Sequence, residues 1–353
     1  MPMLKGENIN GYIIQQDFIV AGGMGKISFA RKGGKEYFIK EFLFPKYPLP
    51  DSPGNDKVKA QRLKECEAFE KHHKELNRKI SSKVSLGGNL VFAVDFFRYG
   101  ACYYKVTEKV DTTSMTCEDI SRLPFSNKLI IAKSVCHSLS ILHSLNIVHG
   151  DLKPDNILIK KVPASYSGKL IDFDDSYFSG NPPKDRDSLV GTPEYYSPEQ
   201  ADYIMDEDEE TDGRTLTCKS DIFTLGIILC EYFTGQKPLL PVGSKGAIWS
   251  VAKEGKSFTF AKRIQRSIAE VITKMLRPNA NERPTIREVF DVLRNAREDE
   301  PQVSSLGDRP HVSVEEKPKE PKLRIRFPAE IDETDFPKSR EKTPRLRGKI
   351  LGK

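Results

Sequence analysis

Eight consecutive residues, His149 to Asn156, carry the side chains best suited to chemistry in this chain. They read HGDLKPDN and stand between a periodic helical run and the short apolar run ILIK. Asp151 and Asn156 are five positions apart. This pairing suits phosphoryl transfer, because a carboxylate can accept a hydroxyl proton while an amide oxygen holds a metal ion. Lys153, between them, can reach the phosphate that moves.

Further short motifs occur on both sides of this octad. Upstream they are GGMGKI at 22–27 and YFIK at 37–40; downstream they are KLIDFD at 169–174, GTPEYYSPE at 191–199, KSDIFTLG at 219–226 and NERPT at 281–285. In this order, over about residues 12–296, the motifs resemble those of the eukaryotic-like Ser/Thr protein kinase family. The resemblance is to its non-RD type, because Gly150 precedes Asp151, and to its soluble prokaryotic members.

The resemblance implies an α+β, bilobal protein-kinase-like fold over residues 12–297, preceded by an N-terminal extension over residues 1–11. A small five-stranded antiparallel lobe with one helix would take about residues 12–110, and a larger, mainly helical lobe about residues 111–297. The hydrophobic pattern agrees with this division. It predicts three strands over 12–41, a helix over Val58–Ile80, two strands over Leu90–Arg98 and Ala101–Val110, and an amphipathic helix over Asn127–Leu145.

The resemblance also implies roles for named residues. Asp151 would be the catalytic base, Lys153 would contact the transferred phosphate, and Lys40 would place the α- and β-phosphates of ATP. Asn156 and Asp172 would hold Mg²⁺ through oxygen ligands, with Mn²⁺ as an alternative ion. The other residues expected at the nucleotide are Val20, Gly22, Gly23, Gly25, Ile27, Phe38, Thr107, Glu108, Val110 and Leu158.

An acidic partner of Lys40 is expected on the helix over Val58–Ile80. At about 100° per residue, Glu65 and Glu70 flank the apolar stripe of this helix, whereas Glu67 points away from it. The glutamate of the family faces inward. We therefore assign Glu70 as the partner of Lys40 beside the nucleotide.

The chain departs from the family pattern at Ser197, where alanine is usual, and at four positions closer to the expected site. Val20 replaces the first glycine of the phosphate-covering loop, and Asp174 replaces the glycine of Asp-Phe-Gly. Gly150 replaces an arginine that receives a phosphorylated activation segment, so we expect activity without that phosphorylation. Phe38 stands where a small alanine roofs the adenine, with small Thr107 at the gatekeeper position. None of these changes removes a catalytic group.

Composition favours a cytoplasmic protein without a membrane partner. Six cysteines are scattered with no C-x-x-C spacing, which favours reduced thiols over a metal site or a disulfide framework. The longest apolar run, Phe223 to Phe233, holds 11 residues and is too short to span a bilayer. The start, MPMLKGENIN, lacks the pattern of a secretory signal.

The formal net charge of +6 is concentrated at the C-terminus. From Pro321 to Lys353, ten Lys and Arg stand against five Asp and Glu, giving +5. Residues 298–353 hold few large apolar side chains and are predicted to form a disordered basic tail. The tail could be a solvated, autophosphorylated extension or dock an acidic partner. Nucleic acid is disfavoured, because Phe327 and Phe336 are the only tail aromatics available for stacking.

Three functions from different classes fit these patterns to different degrees. The leading one is an ATP- and magnesium-dependent Ser/Thr protein kinase that acts on protein substrates. The alternative is a pseudokinase or partner-binding scaffold, which the changes at Val20, Gly150 and Asp174 motivate. A small-molecule kinase of related fold would share the Asp-to-Asn spacing, but that group usually lacks the GTPEYYSPE and KSDIFTLG elements.

Overall fold

The computed structural model of the protein describes residues 5–21, 25–82, 89–110, 114–163, 165–184, 186, 189, 191–206 and 210–305. Its strands are β1 (Asn8–Ile9), β2 (Tyr12–Ile14), β3 (Ile19–Ala21), β4 (Gly25–Lys32), β5 (Lys35–Phe42), β6 (Ala93–Tyr99), β7 (Cys102–Glu108), β8 (Ile147–Val148), β9 (Ile157–Val162), β10 (Ser165–Leu170), β11 (Tyr177–Phe178), β12 (Ile264–Gln265) and β13 (Gln302–Val303). Its helices are α1 (Asp56–Ser81), α2 (Cys117–Ser121), α3 (Phe125–Ser144), α4 (Pro198–Met205), α5 (Cys218–Thr234), α6 (Ile248–Lys253), α7 (Arg266–Met275) and α8 (Ile286–Asn295).

The small lobe is built on an antiparallel sheet in the order β1-β2-β4-β5-β7-β6, with β3 also paired to β4. Alternation along β5 and β7 separates two faces. Ile39 and Val106 join the buried cluster on one face, whereas Lys40 and its cross-strand partner Lys105 lie on the other. The described sheet holds seven strands rather than the predicted five, because the first predicted strand is split into β2 and β3 and because β1 adds to the edge. The expected N-terminal extension therefore contributes a strand.

Helix α1 is the single helix that the sequence predicts for this lobe. It begins after Asn55, whose side chain accepts a hydrogen bond from the backbone N–H of Val58 at 3.0 Å, as helix N-caps do. Its buried residues are Cys66, His73, Leu76 and Ile80. These positions share one face of the helix, which explains why the long polar segment stays helical when docked on the sheet.

The large lobe is mainly helical and surrounds α5, which is buried along nearly its whole length. An ion pair ties α4 to the segment before α8: Arg283 donates from both terminal nitrogens to the two carboxylate oxygens of Glu199, each at 2.7 Å. All six cysteines are free thiols. No helix within the described residues is both long and apolar enough to cross a membrane.

The folded region extends beyond residue 297, where the sequence places its end. Strand β13 pairs with β12, and Val303 is only 2% exposed. The carboxylate of Glu300 accepts a hydrogen bond from the backbone N–H of Ser267 at 3.1 Å, in the first turn of α7. Residues 298–305 thus belong to the domain, which corrects the predicted start of the tail. The remainder of the tail, from residue 306, lies outside the described residues.

Candidate active site

The side chain of Asp151 lies between β8 and a short 3-10 turn, Pro154–Asn156. Its carboxylate accepts hydrogen bonds from Lys153 Nζ at 2.6 Å, from Thr192 Oγ1 at 2.8 Å and from Asn156 Nδ2 at 3.2 Å. The Thr192 contact places a hydroxyl donor within hydrogen-bond distance of the carboxylate. That is the geometry which a general base needs toward a substrate hydroxyl.

Side chains of the large lobe hold this loop in place through hydrogen bonds to its backbone. The carboxylate of Asp221, at the start of α5, accepts hydrogen bonds from the backbone N–H groups of His149 and Gly150 at 2.8 and 3.4 Å. The side-chain amide of Gln200 donates to the carbonyl oxygen of Gly150 at 2.8 Å. Two helices of the large lobe therefore fix the loop, so that Asp151 is presented on a rigid support.

The two residues expected to hold Mg²⁺ lie on adjoining segments. The backbone N–H of Ile171 donates to the carbonyl oxygen of Asn156 at 3.0 Å, which brings Asp172 next to the 3-10 turn. Asp172 has a positive φ of 57°, and its side chain is 41% exposed. The amide nitrogen of Asn156 is used by Asp151, so its amide oxygen is the atom free to face a cation. A carboxylate and an amide oxygen suit a hard ion such as Mg²⁺.

Lys40 belongs to a group of two lysines and two aspartates between the sheet and the segment that follows β10. Its ammonium lies 2.5 Å from Asp174 and 3.7 Å from Asp172. Lys105, directly opposite on β7, lies 3.1 Å from Asp172 and also binds Asp174. Like charges directly opposite each other destabilise a sheet. The two aspartates compensate for this repulsion, and we call the four residues the charge quartet.

The contacts between Lys40 and Asp174 shift the pKa values of these two residues. Burial raises the pKa of Asp174, but the charges of Lys105 and Lys40 outweigh burial and hold that pKa well below its usual range. Burial lowers the pKa of Lys40, whereas Asp174 and Asp172 more than offset it, so the net shift is upward. Next along the chain, burial and then the charge of Asp174 raise the pKa of Asp175 to about 7. Lys40 and Asp174 are thus held in their charged forms.

The structure does not place Glu70 beside Lys40, which corrects the expectation from sequence. Glu70 accepts hydrogen bonds from Lys74 Nζ at 2.7 Å and from the hydroxyl of Tyr103 at 2.9 Å. The α1 side chain that feels the charges of Lys40 and Lys105 is His73. Glu70 lies three residues before His73, which places it about 60° away around the helix, so a helix that buries His73 against the sheet brings Glu70 to Tyr103 instead of Lys40.

The roof of the predicted nucleotide pocket is aromatic. Phe38 pairs across the sheet with Phe29 and with Thr107, and the rings of Phe38 and Phe29 meet edge to face at 6.0 Å. Ile27 pairs with Lys40 on the same face. Thr107 lines a small cavity of about 30 Å³ together with Lys105 and Asp174, which is enough space for a water molecule.

Gly25 lies directly beside the side chain of Lys40. A Cβ at Gly25 would lie 2.6 Å from Lys40 Cε, so a larger residue at this position would require the end of the lysine side chain to shift. Val20, in the place of the first loop glycine, is 72% exposed. Gly22 and Gly23 lie outside the described residues.

The remaining predicted contacts lie on β9 and at the end of β7. Leu158 is 4% exposed on β9. Glu108 ends β7, and Val110 follows two residues later. The sequence interpretation missed three residues that share the Lys40 face of the sheet through strand pairing: Lys105, Phe29 and Ile19. Lys105 could have been found, because it stands two residues before Thr107 and strand alternation puts both on one face.

The chain is similar in sequence to several known protein kinases. The chain is 32% identical to the serine/threonine-protein kinase PknB of Mycolicibacterium smegmatis over 40% of its own length and 21% of the relative. It is 35% identical to PknA of Corynebacterium glutamicum over 33% of its length and 22% of the relative. For the ovarian-specific serine/threonine-protein kinase Lok of Drosophila melanogaster, the identity is 29% over 57% of this chain and 39% of the relative.

The matched segment thus spans about a fifth to two fifths of each relative's length. The sequence profile of the protein kinase domain matches residues 55–292, which is more than half of the chain. This segment runs from the start of α1 to α8 and contains the Asp151 loop, Asp172 and Asp174. The chain belongs to the protein kinase domain family.

Proposed function

We propose that this protein is a Ser/Thr protein kinase that transfers the γ-phosphate of ATP to hydroxyl groups of protein substrates. The observation that carries the proposal is the bonding around Asp151. A threonine hydroxyl donates to its carboxylate at 2.8 Å, and the ammonium of Lys153 contacts both that carboxylate, at 2.6 Å, and the hydroxyl, at 2.9 Å. A substrate hydroxyl in the position of the Thr192 oxygen would meet a base and a cation together.

Each group has a distinct part in this reaction. Asp151 accepts the proton of the attacking hydroxyl, and Lys153 stabilises charge on the phosphate as it moves. Lys40 holds the α- and β-phosphates. Asn156 and Asp172 would hold Mg²⁺, or Mn²⁺, which when bound neutralises the phosphate oxygens.

Two observations support serine and threonine as the acceptors. Lys153 stands two residues after Asp151 and is followed by Pro154, a spacing that resembles the Ser/Thr-directed subgroup of the family. The relatives with matching segments carry the name serine/threonine-protein kinase. We therefore propose protein substrates with alcohol side chains. From the scattered cysteines we also propose a cytoplasmic location. From the basic residues beyond Pro321 we propose that the tail binds an acidic partner.

A pseudokinase is the second candidate, and one observation favours it. In the described residues, the carboxylates that contact Lys40 are Asp174 and Asp172, rather than a glutamate of α1. A lysine that is paired with two aspartates could stabilise the fold without binding the phosphates of ATP. Against this reading, Asp151, Lys153 and Asn156 are already bonded to one another in a manner suited to catalysis.

The two candidates differ in a direct transfer assay. Wild-type protein is incubated with radiolabelled ATP, Mg²⁺ and a generic basic protein, and the product is hydrolysed to identify the labelled amino acids. A kinase gives phosphoserine or phosphothreonine on the added protein. A pseudokinase gives no label above the level of heat-denatured enzyme, which would overturn the proposal.

A further inference from the structure

We propose that Asp174, rather than a glutamate of α1, is the residue that positions Lys40 for phosphoryl transfer. This inference rests on the proposed kinase function and assigns a new role within the same site. Asp174 stands where the family has the glycine of Asp-Phe-Gly, so a carboxylate occurs at a point where the pattern places no side chain. It is a positioning residue, because it acts through Lys40 rather than on the phosphate.

The two oxygens of Asp174 bind different lysines. Oδ2 accepts from Lys40 Nζ at 2.5 Å, and Oδ1 accepts from Lys105 Nζ. A carboxylate held at both oxygens cannot rotate freely, so Lys105 fixes the plane of Asp174 and Asp174 in turn fixes Lys40. The side chains of Asp174, Lys105 and Lys40 are only 11%, 11% and 13% exposed. Charge-assisted hydrogen bonds with so little solvent are strong ones.

The described residues of α1 supply no competing carboxylate to Lys40. Glu70 bonds to Lys74 and Tyr103. The buried α1 residue that packs against the sheet near Lys40 is His73. That ring packs among Phe42, Phe69 and Phe96 with centroid distances of 5.1, 4.3 and 5.0 Å. These neighbours carry no negative charge, so the positive charge of Lys40 is balanced by Asp172 and Asp174.

Lys105 compensates for the negative charge of the second aspartate. Asp172 and Asp174 are two carboxylates in one small region, and a single lysine would leave one negative charge uncompensated at high cost. With Lys105 the quartet has two charges of each sign. The contacts of Asp174 to Lys40 and Lys105 do not involve Asp172, so they do not depend on whether Asp172 holds a metal ion. The placement of Lys40 is therefore set by β5, β7 and the segment after β10, without a contact from α1.

The test compares four variants with the wild type. Asp174→Asn keeps the shape and removes the charge, and Asp174→Glu keeps the charge. Glu70→Gln is the matched control on α1. Because Asp174→Asn leaves Lys105 without its partner, the double variant Lys105→Gln with Asp174→Asn removes one charge of each sign and guards against misfolding. Turnover and the Michaelis constant for ATP are measured separately, and thermal unfolding checks that each protein is folded.

Displacing a catalytic group by about 1 Å can cost about 10²-fold in rate. We expect Asp174→Asn and the double variant to lose about 10- to 100-fold in turnover, with a smaller change in the Michaelis constant. Asp174→Glu should recover several-fold over Asp174→Asn, and Glu70→Gln should stay within about twofold of wild type.

Turnover of Asp174→Asn equal to or above that of wild type would overturn the assignment, since Asp174 would then be neutral or a restraint on Lys40. An equal loss in Glu70→Gln would overturn it as well, because a helix glutamate would then do the positioning during turnover. So would an Asp174→Glu protein no faster than Asp174→Asn. A wild-type protein without any transfer would instead overturn the proposed kinase function, so the two failures are distinguishable.

Discussion

Gly150 and Asp175 meet so closely that a Cβ on Gly150 would collide with the carbonyl oxygen of Asp175. Gly150 also has a φ of +84°, in the region that favours glycine. The loop that carries Asp151 is thus packed directly against the segment that follows Asp172. The arginine that the family often has at this position is excluded here by the backbone, and no side chain could take its place without moving one of the two segments.

A side chain at position 150 should therefore destabilise the protein. We expect Gly150→Ala to lower the melting temperature more than Gly100→Ala, which is a matched control because Gly100 also has a positive φ, of +59°, but nothing within 4 Å of its Cβ position. The control carries only the backbone cost of about 1–2 kcal/mol. Equal melting temperatures for the two variants, measured by calorimetry, would show that the close approach to Asp175 relaxes easily.

Activity should not depend on phosphorylation of the activation segment. Without an arginine at position 150, the catalytic loop lacks the guanidinium that receives a phosphorylated activation segment in the family. Ser176, one hydroxyl of this segment, is 1% exposed and donates to the carbonyl oxygen of His149 at 2.9 Å, so a kinase could not reach it in the folded protein. Protein treated with a phosphatase should phosphorylate a generic substrate without a lag. A lag that prephosphorylation abolishes would contradict this.

The sequence was sufficient for groups that are close together in the chain. Asp151, Lys153 and Asn156 lie on one loop, so their spacing alone predicts that the three side chains lie close together, as they do. The partner of Lys40 was mispredicted, because Asp174 is 134 residues away and because small rotations of α1 decide which residue faces the sheet. The end of the domain was placed too early because strand β13 has only two residues. A segment this short shows no alternation of apolar and polar side chains from which a strand could be predicted.

A chain that ends at Arg297 should be less stable than one that ends at Ser305. The longer chain keeps the buried Val303 and the hydrogen bonds from Phe260 N to Ser304 O and from Arg266 N to Pro301 O, both at 2.8 Å. Burying a valine stabilises by about 1.5–3 kcal/mol, so a loss of several degrees in melting temperature is expected. Identical melting curves for the two truncated chains would show that residues 298–305 add nothing to the fold.

Stability should fall on the acid side partly because of His73. Burial, then the charges of His72, Lys105 and Lys40, lowers the pKa of His73 well below its usual value. At His73 the folded state therefore binds fewer protons than the unfolded state below about pH 6.5, so the contribution of this residue to stability is present above that pH and is lost as pH falls. His73→Phe, which suits the aromatic surroundings, should flatten the dependence by up to about 1.4 kcal/mol per pH unit.

Urea unfolding between pH 5 and pH 8 measures this dependence. His72 and His149, whose pKa values burial also lowers, should leave part of the slope in the His73→Phe protein. The matched control is His137→Gln, because His137 is exposed on α3 and its loss should leave the slope as in wild type. A slope unchanged by His73→Phe would mean that His73 does not stay neutral in the folded protein.

The most direct measurement of the proposed chemistry is single-turnover transfer from ATP by wild type and by Asp151→Asn. The carboxylate of Asp151 contacts Lys153, Thr192 and Asn156, so its loss should remove the proton acceptor and leave the phosphate-binding Lys40 untouched. We predict a fall in rate of about 10²–10⁴, with ATP affinity, measured by calorimetry, within about threefold of wild type. Equal transfer rates in the two proteins would contradict the assignment of Asp151 as the base and, with it, the kinase mechanism.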